Sequence, residues 1–208
     1  MRIVKVSLAV AGTALLVTAS VATAQVVTTS GGDVALFATL SQKNIVDHLI
    51  IGDSLEVEMA QLAVARTKNA AVRDFANLLI TDHKAHLDNL LKLAGKRDIG
   101  REALATDTSG AHMTRRLTEL KSAANDSVFD RSFIRAQIAH HSREIAAFPV
   151  MKPQAKDDDL QHDMDRTLPV LQKHLTQAQQ VAAQLGISLN PMPMRPPQDS
   201  TAKVKPPR

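Results

Sequence analysis

Four polar side chains stand where helical spacing asks for apolar ones: Glu56, His83, His141 and His174. At 100° per residue, Glu56 falls within the stripe of Ile45, Leu49, Ala60 and Ala63, and His83 lies at the centre of Val72, Ala76, Leu79, Leu87 and Leu90. His141 is central to Ile134, Ile138, Ile145 and Phe148, and His174 sits among Leu160, Met164, Leu171, Leu175, Ala178 and Ala182. A carboxylate or imidazole buried in such a stripe costs several kcal/mol unless something satisfies it. One such intrusion reads as a hydrogen-bonded core histidine. Four of them, one on each long helix, satisfy one another or bind a cation. One carboxylate with three imidazoles is a nitrogen-rich set suited to zinc, copper or iron. Asp82 and Asp130 are placed as carboxylates that would orient those ligands from behind.

Several other polar residues of these helices read as surface. Glu58 swings away from the stripe with Asp47, Ser54 and Gln61, and His162 shares a polar side with Arg166 and Lys173. His86 lies towards the stripe edge, Asp88 falls outside it, and His140 and Glu144 flank the stripe of the third long helix. His83-Lys84-Ala85-His86 has a chelating spacing that surface pairs also show, and Met192 and Met194 read as ordinary tail residues.

These residues need four helices to carry them. Ser41 is placed to cap a helix running to about Lys68; a tight turn at Asn69-Ala70 leads to a second helix from about Ala71 to Ala94, stopped by Gly95. Residues 95–110 read as irregular, and a short helix covers about Ala111 to Ala123. Asn125-Asp126 opens a third long helix over Ser127 to Phe148, with Pro149 and Pro153 breaking the chain. Asp157-Asp158-Asp159 supply negative charge at the start of a fourth helical region, which ends at Leu185-Gly186 and which Pro169 should kink or split. No strand pattern competes. The expectation is an all-α, antiparallel four-helix bundle with a short extra helix in its second connection. Glu56 and His83 stand at similar distances from the first turn and can meet. His141 and His174 share a depth only if the packed part of the last helix begins near Thr167-Leu168-Pro169.

The ends differ from the bundle. Met1 to Lys5 is positively charged, Val6 to Val21 is apolar, and Ala22-Thr23-Ala24 fits a small-x-small cleavage site. Residues 1–24 thus read as a signal peptide, which predicts a periplasmic or secreted protein without stable membrane insertion after cleavage. Residues 25–40 read as a linker, 41–186 as the bundle, and 187–208 as a proline-rich basic tail. The net charge is +4; without Arg2 and Lys5 it is +2, the tail holds +3, and the bundle is left at −1. That is no electrostatic footprint for nucleic acid. The five Phe, with no Trp and no Tyr, offer few of the stacking platforms that single-stranded nucleic acid requires. With no Cys, disulfides, thiolate sites and cysteine nucleophiles are excluded.

Several stretches resemble a secreted bacterial family known as domain of unknown function 4142, described as ferritin-like. They are Leu55 to Ala63, Val72-Arg73-Asp74-Phe75-Ala76, Asp82-His83, Phe129 to Phe133, Ala139-His140-His141 and Thr167 to His174. The resemblance covers about Ser41 to Leu185 and implies an exported ferritin-like bundle with no established activity. Its pattern carries over at Glu56, Asp82, His83, Phe129, Asp130, His141 and His174, and departs at His140, where the family has Asp. The Glu-x-x-His pairs of di-iron bundle enzymes do not occur; Asp159-Leu160-Gln161-His162 comes nearest. The reading is therefore a non-enzymatic, exported bundle whose partner is a transition-metal ion. The alternatives are an envelope stress or interaction module whose polar layer only fixes helix register, and an enzyme of unrecognised type using the same cluster.

Overall fold

The computed structural model describes residues 34–96 and 108–189. The stretch read as a signal peptide and the Met192–Met194 tail lie outside the described residues. Five helices follow in order: α1 Gln42–Arg66, α2 Ala70–Lys96, α3 Thr108–Lys121, α4 Asp126–Met151 and α5 Asp158–Gln184. A 3-10 turn, Leu36–Thr39, precedes α1, and another, Lys152–Gln154, follows α4. Among the described residues there is no strand, and the architecture is the expected all-α bundle. α1 packs most extensively on α2, α4 on α5 and the short α3 on α1, while α2 and α5 close the barrel of helices.

The helix boundaries come from the residues the sequence places there. Ser41 Oγ accepts from Asn44 N at 3.2 Å, Asn125 from Val128 N at 3.0 Å, and Asp157 from Leu160 N at 3.0 Å, each satisfying an otherwise orphaned N–H. Between α1 and α2, Asn69 Oδ1 accepts from Val72 N at 3.2 Å. At the end of α5, Gly186 takes φ +61, and Gly186 N and Ile187 N donate back to Ala183 O and Ala182 O at 3.0 and 2.8 Å. This paired closure needs a left-handed residue, which glycine supplies without strain.

Three boundary expectations are corrected. α2 runs through Gly95 to Lys96. α4 passes Phe148 and Pro149 and ends at Met151. α5 is one continuous helix through Pro169. Pro149 and Pro169 are both exposed, as is Asp165, whose carbonyl loses its helical donor to Pro169. Water can satisfy a carbonyl on that side, so the helix persists. In the stretch read as a linker, Phe37 is buried against the bundle.

Buried apolar residues form two clusters. One gathers Met59, Ala63, Leu79, Phe133, Ile138 and Ala178; the other Ile45, Leu49, Leu90, Phe148, Leu160 and Leu171. On every long helix at least one polar intrusion falls between them. Asp53 and Glu56 separate Ile50 from Met59, His83 and His86 separate Leu79 from Leu90, His141 and Glu144 separate Ile138 from Ala147, and His174 separates Leu171 from Ala178. The core is thus two apolar slabs with a polar layer sealed between.

Candidate metal centre

All four interior residues are buried, with Glu56 and His141 at 0 % exposure, His174 at 1 % and His83 at 5 %. His83 on α2, His141 on α4 and His174 on α5 each present one ring nitrogen to a common point, and these atoms lie within 4.8 Å of one another. The ring centroids are 5.2–5.7 Å apart. The depth mismatch expected between His141 and His174 is taken up by the connection between α4 and α5. The Lys152–Gln154 turn carries the chain on for about 6 Å at 2.0 Å per residue before α5 reverses direction.

The hydrogen bonds fix which nitrogens face inward. His141 Nδ1–H donates to Gln137 O at 3.0 Å, His174 Nε2–H to Asp82 Oδ2 at 2.9 Å, and His83 Nδ1–H to Asp53 Oδ1 at 2.8 Å. That leaves His141 Nε2, His174 Nδ1 and His83 Nε2 pointing inward. His83 Nε2 is buried without a hydrogen-bond partner. His141 Nε2 and His174 Nδ1 stand 3.2 Å apart. With both outer nitrogens already donating, two lone pairs face each other unless one ring surrenders a bond or takes a second proton. Around a tetrahedral ion with bonds of about 2.0–2.1 Å, ligand nitrogens sit about 3.3 Å apart. The spacing suits an ion shared between them, and the rings are oriented from behind as metal-bound imidazoles are.

The electrostatics favour a cation. Burial holds His141 well below its ordinary value, with the charges of His140, His83 and His174 adding to the effect. Burial likewise brings His174 down to about 4 although Asp82 opposes it. His83 goes the other way: burial would lower it, but the bond to Asp53 and the charges of Asp53 and Glu56 raise it. Neither carboxylate oxygen of Glu56 has a hydrogen-bond partner; His140 Nε2 comes no closer to Oε1 than 3.7 Å.

Of the two carboxylates expected to orient the ligands, Asp82 holds His174. Asp130 does not reach the cluster: it lies eleven residues before His141 on the same helix, about 16 Å along the axis, beside Phe129. Three helical turns return it to the same face but not to the same depth.

Sequence reasoning missed the residues that tie the layer together. Asp53 bonds His83 through Oδ1, and its Oδ2 lies 2.8 Å from His86 Nδ1; His86 Nε2 in turn meets Asp163 Oδ2 at 2.8 Å. This chain links α1, α2 and α5. Burial opposes both charges, but the two carboxylates bring His86 up to about 9, and the two imidazoles hold Asp53 below its usual range. The signal for Asp53 was present, since it lies thirteen residues before Arg66 and His83 thirteen after Ala70, equal depths across one turn. His48 meets Glu144 at 3.0 Å, and both are buried. Asp47, read as surface, is also buried. Glu58 is exposed and pairs with Lys121 at 3.0 Å, and Asp88 and His162 are exposed, as expected.

A family model described as Domain of unknown function (DUF4142) matches residues 29–181. Among solved structures, CopM in the Cu(II)-bound form is similar at a TM-score of 0.58 and 18 % identity, covering 70 % of this chain and 97 % of that one. At that identity the likeness concerns the fold. A comparison with curated proteins finds no match.

Proposed function

We propose that this chain, which belongs to the DUF4142 family, binds a transition-metal ion between His83, His141 and His174, with the buried, unpartnered Glu56 carboxylate drawn inward as the fourth ligand. The observation that carries the reading is the 3.2 Å approach of His141 Nε2 to His174 Nδ1 while both opposite nitrogens are committed as donors. An ion removes the lone-pair conflict; without one, a buried ring must give up a bond or take a second proton. Asp82 and Asp53 orient the rings, and the unsatisfied Glu56 carboxylate supplies negative charge. Three imidazoles and one carboxylate fill a tetrahedral shell and leave no open position, which suits holding or delivering metal rather than catalysis. Zinc, copper and iron all accept this set, and the fold shared with Cu(II)-bound CopM puts copper first. The charged, apolar and small-residue succession of residues 1–24 supports action outside the cytoplasm, in the periplasm or beyond. Among the described residues, no helix is long and apolar enough to cross a membrane.

The test is metal content after loading with Cu(II), Zn(II) or Fe(II) and desalting, for wild type and His141→Leu. Retained ion in the wild type and its loss in a variant of unchanged helicity is the expected result. A wild type that retains none of the three ions refutes it. One observation favours the rival reading of a metal-free layer that sets helix register: the chain Asp163, His86, Asp53 and His83 is linked by two hydrogen bonds and an ion pair without any ion.

A further inference from the structure

Every residue assigned to the ion is buried, so the ion needs a way in. A surface cleft of about 370 Å³ lies between α2 and α5, with Asn89, His162, Asp163 and Arg166 in its walls. Inside the bundle, a cavity of about 30 Å³ is bordered by Asp53, His83, His86 and Glu144. A void of roughly 10–15 Å³ already admits one water, so the inner cavity has room for a single ion or water. One pair of side chains joins the two spaces. Asp163 lines the cleft, His86 lines the cavity, and His86 Nε2–H donates to Asp163 Oδ2 at 2.8 Å. Side-chain exposure falls inward along this line, from 70 % at Arg166 to 13 % at His86 and 6 % at His83. The outer member of the pair is free to turn. Arg166 Nη2 holds Asp163 Oδ1 at 3.2 Å from the solvent side, so Asp163 can swing outward with Arg166 and give up only its bond to His86. His86 keeps its place, because its Nδ1 remains 2.8 Å from Asp53 Oδ2.

We propose that the metal ion enters through the cleft between α2 and α5, passing Asp163 and His86 into the inner cavity and so to His83. Asp163 is the movable leaf of this gate and His86 its fixed post. The cavity beyond suits a cation in transit. Glu144 Oε1, in its wall, lacks a hydrogen-bond partner and offers free lone pairs. His83 is itself part of that wall, and its unpartnered Nε2 is turned to the point it shares with His141 and His174. Among the described residues only these three histidines stand close enough together to hold an ion, so the cavity is a passage and not a second resting place. The inference rests on the reading under Proposed function, since a route needs a destination.

The test separates rate from equilibrium, because a gate changes arrival and departure by one factor and leaves affinity alone. The chain has no Cys, so a single one can be placed and labelled with a bulky maleimide. Asn89→Cys puts the label in the cleft, and Thr118→Cys puts it on the exposed side of α3 as the control. Cu(II) uptake is followed by stopped-flow absorption and its release by transfer to excess chelator. The expected result is that labelled Asn89→Cys loads and releases about tenfold more slowly than labelled Thr118→Cys, with the same final copper content and affinity. Asp163→Ala, which removes the movable leaf, should speed both steps by about tenfold, again at constant affinity. Equal rates in the two labelled proteins overturn the inference and place the entry elsewhere, as past the part-exposed Asp82, while the copper they retain leaves the first site standing. A change in release alone, with altered affinity, overturns it as well, since the cleft would then act on the bound ion. A wild type that takes up no Cu(II) removes both the route and its destination. If Asp163→Ala fails to fold, the labelled pair, altered only at exposed positions, decides alone.

Discussion

Replacing His141 by leucine separates what the polar layer does for the fold from what it does for a metal. In the metal-free chain, His141 Nε2 and His174 Nδ1 face each other at 3.2 Å. Moving the His174 proton inward forfeits its bond to Asp82, a charged acceptor worth about 1.5–3 kcal/mol. Moving the His141 proton forfeits its bond to the Gln137 carbonyl, worth about 0.5–1.5 kcal/mol. Leucine at this fully buried position removes the conflict, fills a similar space and has the better helix propensity. The metal-free variant should therefore unfold at wild-type stability or up to about 2 kcal/mol above it. Metal reverses the order. An ion at a hundred times its dissociation constant adds about 2.7 kcal/mol to the wild type. At about 2–4 °C per kcal/mol for a chain of this size, the melting temperature rises by roughly 5–11 °C. The leucine variant should show no rise. Thermal melts followed by circular dichroism, with chelator and with Cu(II), read both effects. A metal-free variant that loses more than about 3 kcal/mol, beside a wild type whose melting temperature ignores metal, would refute the reasoning and make the layer structural.

Other outcomes follow from the same geometry. Asp82→Ala removes the acceptor behind His174 at a partly exposed position, so metal affinity should fall about 10–100-fold in a chelator competition while helicity is unchanged. Unaltered affinity would exclude Asp82 as an orienting group. The metal-free protein should be most resistant to urea near pH 6.5. His174 has a folded value of about 4 against 6.5, so its contribution is present above pH 6.5 and is lost as pH falls towards 4. His86, at about 9, contributes fully below pH 6.5, and that contribution is lost as pH rises through 9. A urea midpoint flat from pH 4.5 to 9.5 would contradict both assignments. Asn125→Ala removes the cap of α4 and should cost about 1 kcal/mol in urea denaturation, with metal stoichiometry untouched.

Periodicity located Glu56, His83, His141 and His174 because each lies near the middle of an apolar stripe, where a polar side chain contrasts with all its neighbours. It missed His48, Asp53 and Glu144 because those sit at stripe edges, and it put Asp47 on the surface because Asp47 lies on the side of α1 opposite the stripe. Burial there depends on what the neighbouring helix presents, and a single helix does not encode that. Asp53 is buried between His83 and His86, and Glu144 beside His48. Depth was equally hard to read. Asp130 shares a face with His141, but a face repeats every few turns, and only the height along the axis separates the two. The prolines misled for a related reason. Their effect on a helix depends on whether the freed carbonyl meets water, and at Pro149 and Pro169 the exposed side allows it. Capping by Ser41, Asn125 and Asp157 was legible because it is local.

The three converging imidazoles do not come from one half of the molecule. His83 belongs to the hairpin of α1 and α2, His141 and His174 to the hairpin of α4 and α5. An ion held among them works as a clasp across the seam between the hairpins. In its presence, amides of both halves should exchange with solvent together, in a single global opening. Stripped of metal, each hairpin is free to open on its own schedule.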